Sequence, residues 1–126
     1  MTLIVGESAA GKSTSMFENK ELGIMGLNPA ETLIINVTGK PLGMRGWKKV
    51  YTPLTKETGN YLETTNPDII LAALDLFQKR ADLKTVVIDD YQYILADEYM
   101  MSTKTNFAKY DSIGKNAYTI LRKLYL

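Results

Sequence analysis

Gly6-Glu7-Ser8-Ala9-Ala10-Gly11-Lys12-Ser13 decides how this chain is read. It follows the apolar run Leu3-Ile4-Val5 and has the full form G-x-x-x-x-G-K-[ST]. Each fixed position has a physical task. Gly6 lets the chain leave a strand through conformations that other residues resist. The successive N–H groups of the loop then converge on anionic oxygens. Gly11 allows close approach where a helix begins, and the helix N-terminus adds its positive end. Lys12 brings a point charge to the β- and γ-phosphates, and Ser13 brings a hydroxyl to Mg²⁺. Thr14 is placed to donate to the α-phosphate. The alternative is a Gly-rich turn arising by chance, which average usage gives in roughly one chain in a few hundred. A nucleotide is therefore the expected ligand. Gly6, Glu7, Ser8, Ala9, Ala10, Gly11, Lys12, Ser13 and Thr14 form the binding loop, and Lys12 also acts in catalysis.

Outward from this loop, apolar runs alternate with helical patterns. Residues 2–5 suit a buried parallel strand ended by Gly6. The stretch after Gly11 predicts a helix to about Glu21 or Leu22, broken by Gly23, Gly26, Asn28 and Pro29. Residues 32–37 predict a second strand and 48–52 a short one stopped by Pro53, while 55–65 read as irregular. Asn66-Pro67-Asp68 is a helix start: an Asn cap, Pro at the first helical position, then an acid at the positive end. Ile70, Ala73, Leu74 and Phe77 recur at i, i+3, i+4, i+7 and carry that helix to about Arg80. A third strand over 85–88 ends at Asp89-Asp90, and 91–101 predict a short helix. Tyr110, Ile113, Ala117, Ile120, Leu121 and Leu124 form the apolar stripe of a last helix. The alternation predicts an α/β fold with a mostly parallel sheet in three layers. Ligands of such sheets bind at C-terminal strand ends, where Gly6 and Asp89 fall.

Composition narrows the chemistry. With 126 residues, the chain is one domain or part of one. It has 0 Cys and 0 His, which excludes disulfides, thiolate nucleophiles, Cys/His zinc sites and His-based triads. Carboxylate, Lys, Ser/Thr and backbone chemistry remain, with oxygen-bound Mg²⁺ as the expected helper. Lys+Arg number 15 against 14 Asp+Glu, so net charge exerts no general pull toward nucleic acid. No apolar run approaches the ~20 residues of a membrane span, and the N-terminus lacks the pattern of a signal peptide. A cytoplasmic protein without a membrane partner is the expectation.

Thr85-Val86-Val87-Ile88-Asp89-Asp90 has the form of a Walker B strand, four strand formers and then an acid. Asp89 is the expected magnesium carboxylate, opposite Ser13. Asp90 is the expected catalytic base, in a place where Glu is often found. Either acid alternatively only ends the strand or caps the next helix. Lys40, Arg45, Lys48 and Lys49 beside Trp47 read as a solvated loop with Trp47 packed on the body; contact with single-stranded nucleic acid is the other reading. Tyr91, Tyr93 and Tyr99 are expected to pack in the core or an interface.

Taken together, the chain resembles the phage-encoded RecA-like, AAA-type P-loop ATPases associated with single-strand annealing and replication. The resemblance rests on 6–14, on Gly39-Lys40-Pro41-Leu42-Gly43-Met44-Arg45-Gly46-Trp47-Lys48-Lys49, on Val87-Ile88-Asp89-Asp90-Tyr91-Gln92-Tyr93, and on Phe107-Ala108-Lys109-Tyr110-Asp111-Ser112-Ile113-Gly114-Lys115. It implies ATP with Mg²⁺, DNA recombination or replication, single-stranded DNA as a partner, and homo-oligomers that complete sites between subunits. For a phage protein the compartment is the host cytoplasm. In RecA the catalytic Glu ends another strand; Ile34-Ile35-Asn36-Val37-Thr38 has no acid, which shifts that role to Asp90. In RecA-like sheets a later strand lies between the phosphate-loop strand and the Walker B strand. Residues 1–126 are thus expected to be an N-terminal fragment of a P-loop NTPase domain, truncated before that strand. If the two strands are instead adjacent, as in nucleotide kinases and GTPases, the chain comes closer to a whole domain. A nucleotide kinase and a non-catalytic, nucleotide-dependent DNA- or protein-binding module are the alternatives to an ATPase.

Overall fold

Thr32-Leu33-Ile34-Ile35-Asn36 is apolar and β-branched, and it becomes the central strand of the fold, β1 (Thr32–Asn36), with every residue buried. The computed structural model describes residues 1–7 and 9–125, with the backbone alone at Asn106 and Tyr125. Two further strands, β2 (Tyr61–Glu63) and β3 (Thr85–Asp89), flank β1 in the order β2-β1-β3. Both pairings are parallel, so the fold is α/β with a small open parallel sheet. A central strand covered on both faces is continuously apolar for that reason. The register sets Ile34 beside Tyr61 and Val87, and Asn36 beside Glu63 and Asp89. Side chains alternate between faces along a strand, so Asn36, Glu63 and Asp89 share one row at the C-terminal edge.

The two faces are covered differently. Leu33, Ile35 and Val37 pack against the helices α1 (Pro67–Lys79), α2 (Gln92–Met101) and α3 (Asn106–Tyr125). Ile70, Ala73 and Leu74 of α1, Ile94 of α2 and Ile120 of α3 complete that core. On the opposite face Ile34 packs with Phe17, Leu42 and Tyr51, which come from irregular segments. Helices therefore lie on one face only, and turns and loops supply the third layer.

α1 begins as expected, because the Asn66 carboxamide accepts the Asp68 N–H at 2.9 Å. The C-terminal part of α3 lies along the end of α1: Lys123 pairs with Asp75, and Gln78 donates to the Lys123 carbonyl. The Tyr91 hydroxyl donates to the Ala117 carbonyl at 3.0 Å, fixing where α3 passes the C-terminal edge of β3. Tyr110 and Leu121 of the expected stripe are exposed, whereas Ile120 is fully buried.

Four expectations are corrected. Residues 2–5 form no strand, and Leu3 and Val5 are 80% and 83% exposed. A strand exists only through a paired neighbour, and this run pairs with none among the described residues. The helix expected to Glu21 or Leu22 is a single 3₁₀ turn, Thr14–Met16. Phe17 is then extended, and Asn19 and Ile24 pair as an antiparallel bridge. The segment has one buried apolar anchor, Phe17, and the Asn19 side chain takes the Leu22 N–H, which offers the backbone a turn instead of a helix. A strand over 48–52 is replaced by the 3₁₀ turn Trp47–Lys49. Within 55–65, expected to be irregular, Tyr61–Glu63 joins the sheet as β2. No helix among the described residues is long and apolar enough to cross a membrane.

Candidate functional site

The phosphate-loop sequence and the end of β3 meet, although 76 residues separate them. The Ser13 hydroxyl donates to the Asp89 carboxylate, with Oγ 2.9 Å from Oδ1 and 2.8 Å from Oδ2. Asp89 is the last residue of β3, and the register with β1 fixes its position. Both side chains are half-buried.

The loop curls around its own lysine. Lys12 Nζ donates to the carbonyls of Gly6 at 2.7 Å and Glu7 at 2.6 Å. Ala9 and Gly11 have φ of 63° and 88°, the left-handed conformations that make the curl, and Ala10 N–H returns to Glu7 O at 3.2 Å. Among the described residues, no backbone acceptor outside the regular elements falls to the N–H groups of Gly11, Lys12, Ser13 and Thr14. Ser8 lies outside the described residues. A β-carbon at Gly43 would come within 2.9 Å of Thr14 Oγ1, so the segment after Lys40 lies directly against the phosphate loop. The positive end of a following helix, expected at this loop, is not supplied by a three-residue turn.

Asp89 and Asp90, adjacent in sequence, are sent to different partners. Asp90 takes the left-handed conformation with φ 59°, which costs a non-glycine residue about 1–2 kcal/mol. Its Oδ2 accepts from Thr38 Oγ1 at 2.9 Å and lies 3.8 Å from Lys40 Nζ. Thr38 and Lys40 are site residues that the sequence did not single out for Asp90. Their placement traces to Asn36, which is 1% exposed. Its amide donates to Lys40 O at 2.7 Å and Tyr61 Oη at 3.0 Å, and its carbonyl accepts Gly39 N–H at 3.1 Å. Gly39 has φ 68°, and the Glu63 carboxylate occupies the space a β-carbon would need. The available signal was Asn36 itself, a polar residue ending a run that must be buried and therefore must be hydrogen-bonded.

A hydroxyl and a carboxylate in contact are a fitting pair for Mg²⁺, which is commonly held by one or two protein oxygens with substrate phosphates and water completing the shell. Among the described residues no three His, Cys, Asp or Glu side chains group as a self-sufficient metal cage. Trp47 packs on Tyr61 with ring centroids 4.9 Å apart, which is the packed alternative for the basic loop. Tyr91 is half-buried, and burial raises its hydroxyl above the usual tyrosine range. Tyr93 and Tyr99 are exposed, so of the expected packing in the core or an interface the core is not where they lie. Arg80 is held at the opposite end of the sheet by Asp82 and the Gly59 carbonyl. Arg122 meets Tyr118 on the surface of α3.

No protein-family model, curated protein or solved structure matches this chain.

Proposed function

We propose that the chain binds a nucleoside triphosphate, in the first place ATP, together with Mg²⁺, and hydrolyses it as a P-loop ATPase of the RecA-like branch coupled to DNA recombination or replication. The observation that carries this is the contact of Ser13 with Asp89, beside a loop that curls over Lys12. Ser13 and Asp89 would hold the ion, which when bound neutralises charge on the β- and γ-phosphate oxygens. The amides of 11–14 receive phosphate oxygens, and Lys12 exchanges its two carbonyl partners for them. Asp90 takes the proton of the attacking water as its oxygen bonds to the γ-phosphorus and the bond to ADP breaks. A nucleotide kinase gathers arginines on its phosphates, whereas Arg80 and Arg122 are both engaged elsewhere.

A non-catalytic nucleotide switch is the second reading, favoured by the engagement of Asp90 with Thr38 and Lys40. Titration of a fluorescent ATP analogue with and without Mg²⁺, beside a phosphate-release assay, separates the possibilities. Mg²⁺-dependent binding lost in Lys12→Ala, with turnover lost in Asp90→Asn, is the expected result. Binding without phosphate release selects the switch, and binding that survives Lys12→Ala undiminished overturns the site.

A further inference from the structure

α3 has two apolar faces, and the body of the protein covers one. Ile120 is fully buried in the core beside residues of α1 and α2, and Leu124 packs against the same cluster. The second face carries Phe107, Tyr110, Tyr118 and Leu121, which are 90%, 62%, 61% and 37% exposed. These side chains are arranged symmetrically about Gly114. Phe107 and Leu121 stand seven residues to either side of it, and Tyr110 and Tyr118 four. At 3.6 residues per turn, all of them point within about 40° of the Gly114 direction.

Gly114 is itself unexplained by the chain's own packing. It is exposed in the middle of α3, and among the described residues nothing lies within 4 Å of the place a β-carbon would take. It has no left-handed φ that would demand glycine. Glycine inside a helix weakens it relative to alanine, and no contact within the described residues offsets that loss. Such a glycine usually has a packing reason, and close approach of another backbone supplies one.

We propose that this face is the interface of a two-fold homodimer, in which α3 packs antiparallel on α3 of a second copy with the axis at Gly114. A two-fold contact must be self-complementary, each residue meeting another of the same patch. Turning the stripe end for end about Gly114 sets Phe107 against Leu121, and Tyr110 against Tyr118, of the second copy, with the two glycines at the crossing. A different partner has no use for that symmetry. The polar flank agrees with it. Asp111 and Lys115 pair within one helix at 2.7 Å, and the same rotation brings Asp111 of one copy within about 3 Å of the level of Lys115 of the other. Opposite charges therefore line the seam twice. Covering an aromatic ring removes about 150–250 Å², so two stripes together bury on the order of 1,000 Å², the lower bound of a specific interface. The dimer is accordingly a weak one, with Kd in the micromolar range. Copies that complete one another's sites meet head to tail through two different patches. This contact instead uses one patch twice, closes at two and contains no residue of the candidate nucleotide site, so it does not depend on the function proposed above.

The test is sedimentation equilibrium of the full chain without nucleotide, from about 1 to 500 μM, a range that spans a micromolar Kd. A reversible monomer–dimer equilibrium is expected. The Tyr110→Ala/Tyr118→Ala double variant should weaken it about 10- to 100-fold. Because the chain has 0 Cys, single introduced cysteines then map the geometry. Gly114→Cys, on the axis, should link to its own copy under mild oxidation. Tyr110→Cys and Tyr118→Cys should each fail to link to themselves, because like residues lie about 12 Å apart along the axis, beyond the reach of a disulfide. Mixed together, these two variants should link to each other. All these positions are exposed, and circular dichroism verifies that each variant keeps its helices. The proposal is overturned if the chain stays monomeric over the whole range, if assembly continues past two copies, or if the tyrosine double variant associates unchanged. It is equally overturned if Tyr110→Cys links to itself, or if the mixed pair does not link.

Discussion

Leu3-Ile4-Val5 and Val86-Val87-Ile88 are nearly interchangeable as peptides, yet they have opposite fates. The second is locked into a five-residue ladder with β1 and carries Asp89 to its place. The first, which leads into the Gly6–Ser13 loop, pairs with no strand among the described residues and is largely exposed, with Ile4 at 58% and Val5 at 83%. The difference shows that strand character belongs to the pair and not to the peptide. It also shows that half of the candidate site is anchored by the sheet, while the other half is held by its contact with Asp89 and by the packing of Phe17 and Gly43 behind it.

The buried strand carries the heaviest penalty. Ile35→Ala, fully buried beside Ile88, should cost about 2–5 kcal/mol, and Val5→Ala less than about 0.5 kcal/mol, in urea unfolding. Equal losses would mean that 2–5 is packed after all. The two neighbours at the end of β3 differ in what each should cost. Asp89→Asn should weaken Mg²⁺-dependent nucleotide binding and abolish turnover. Asp90→Asn should leave binding nearly intact and lower single-turnover hydrolysis by roughly 10²-fold. Equal damage to binding would mean that the pair acts jointly on the metal, and full activity in Asp90→Asn would move the base to Glu57, Glu63 or a neighbouring subunit. A smaller effect belongs to the helix-covered face: Asn66→Ala removes the cap of α1 and should cost about 1 kcal/mol, visible as a lower Tm with nucleotide affinity unchanged.

The smallest effect concerns pH. Burial raises the hydroxyls of Tyr51 and Tyr91 above the ordinary value of 10.0. The folded chain then keeps protons that the unfolded chain releases, so this stability is complete below pH 10.0 and is lost as pH rises through the raised values. Thermal unfolding should show that decline, and Tyr51→Phe should remove part of it.

β1 and β3 were legible as apolar, β-branched runs, α1 from Asn66-Pro67-Asp68 and the spacing of Ile70, Ala73, Leu74 and Phe77, and α3 from its apolar stripe; α2 carries no cap and no apolar stripe of its own. The meeting of Ser13 with Asp89 was legible from two motifs with complementary chemistry. β2 was not: Tyr61-Leu62-Glu63 is a strand only because Ile34, Ile35 and Asn36 lie beside it. The helix after the phosphate loop failed because a motif specifies the turn and not the apolar stripe that would hold a helix down. Thr38 and Lys40 reach Asp90 through the register of Asn36, a long-range fact that no local pattern encodes.

Lys12 grips the carbonyls of Gly6 and Glu7, which sets a self-contact against the ligand proposed for the loop. Under the proposed function, an incoming phosphate would compete with two backbone oxygens tethered a few residues away. Every tenfold preference for the gripped form lowers apparent affinity tenfold, because only the released fraction binds. Release of the grip should therefore tune how tightly the loop takes its ligand, without any new contact to the ligand itself.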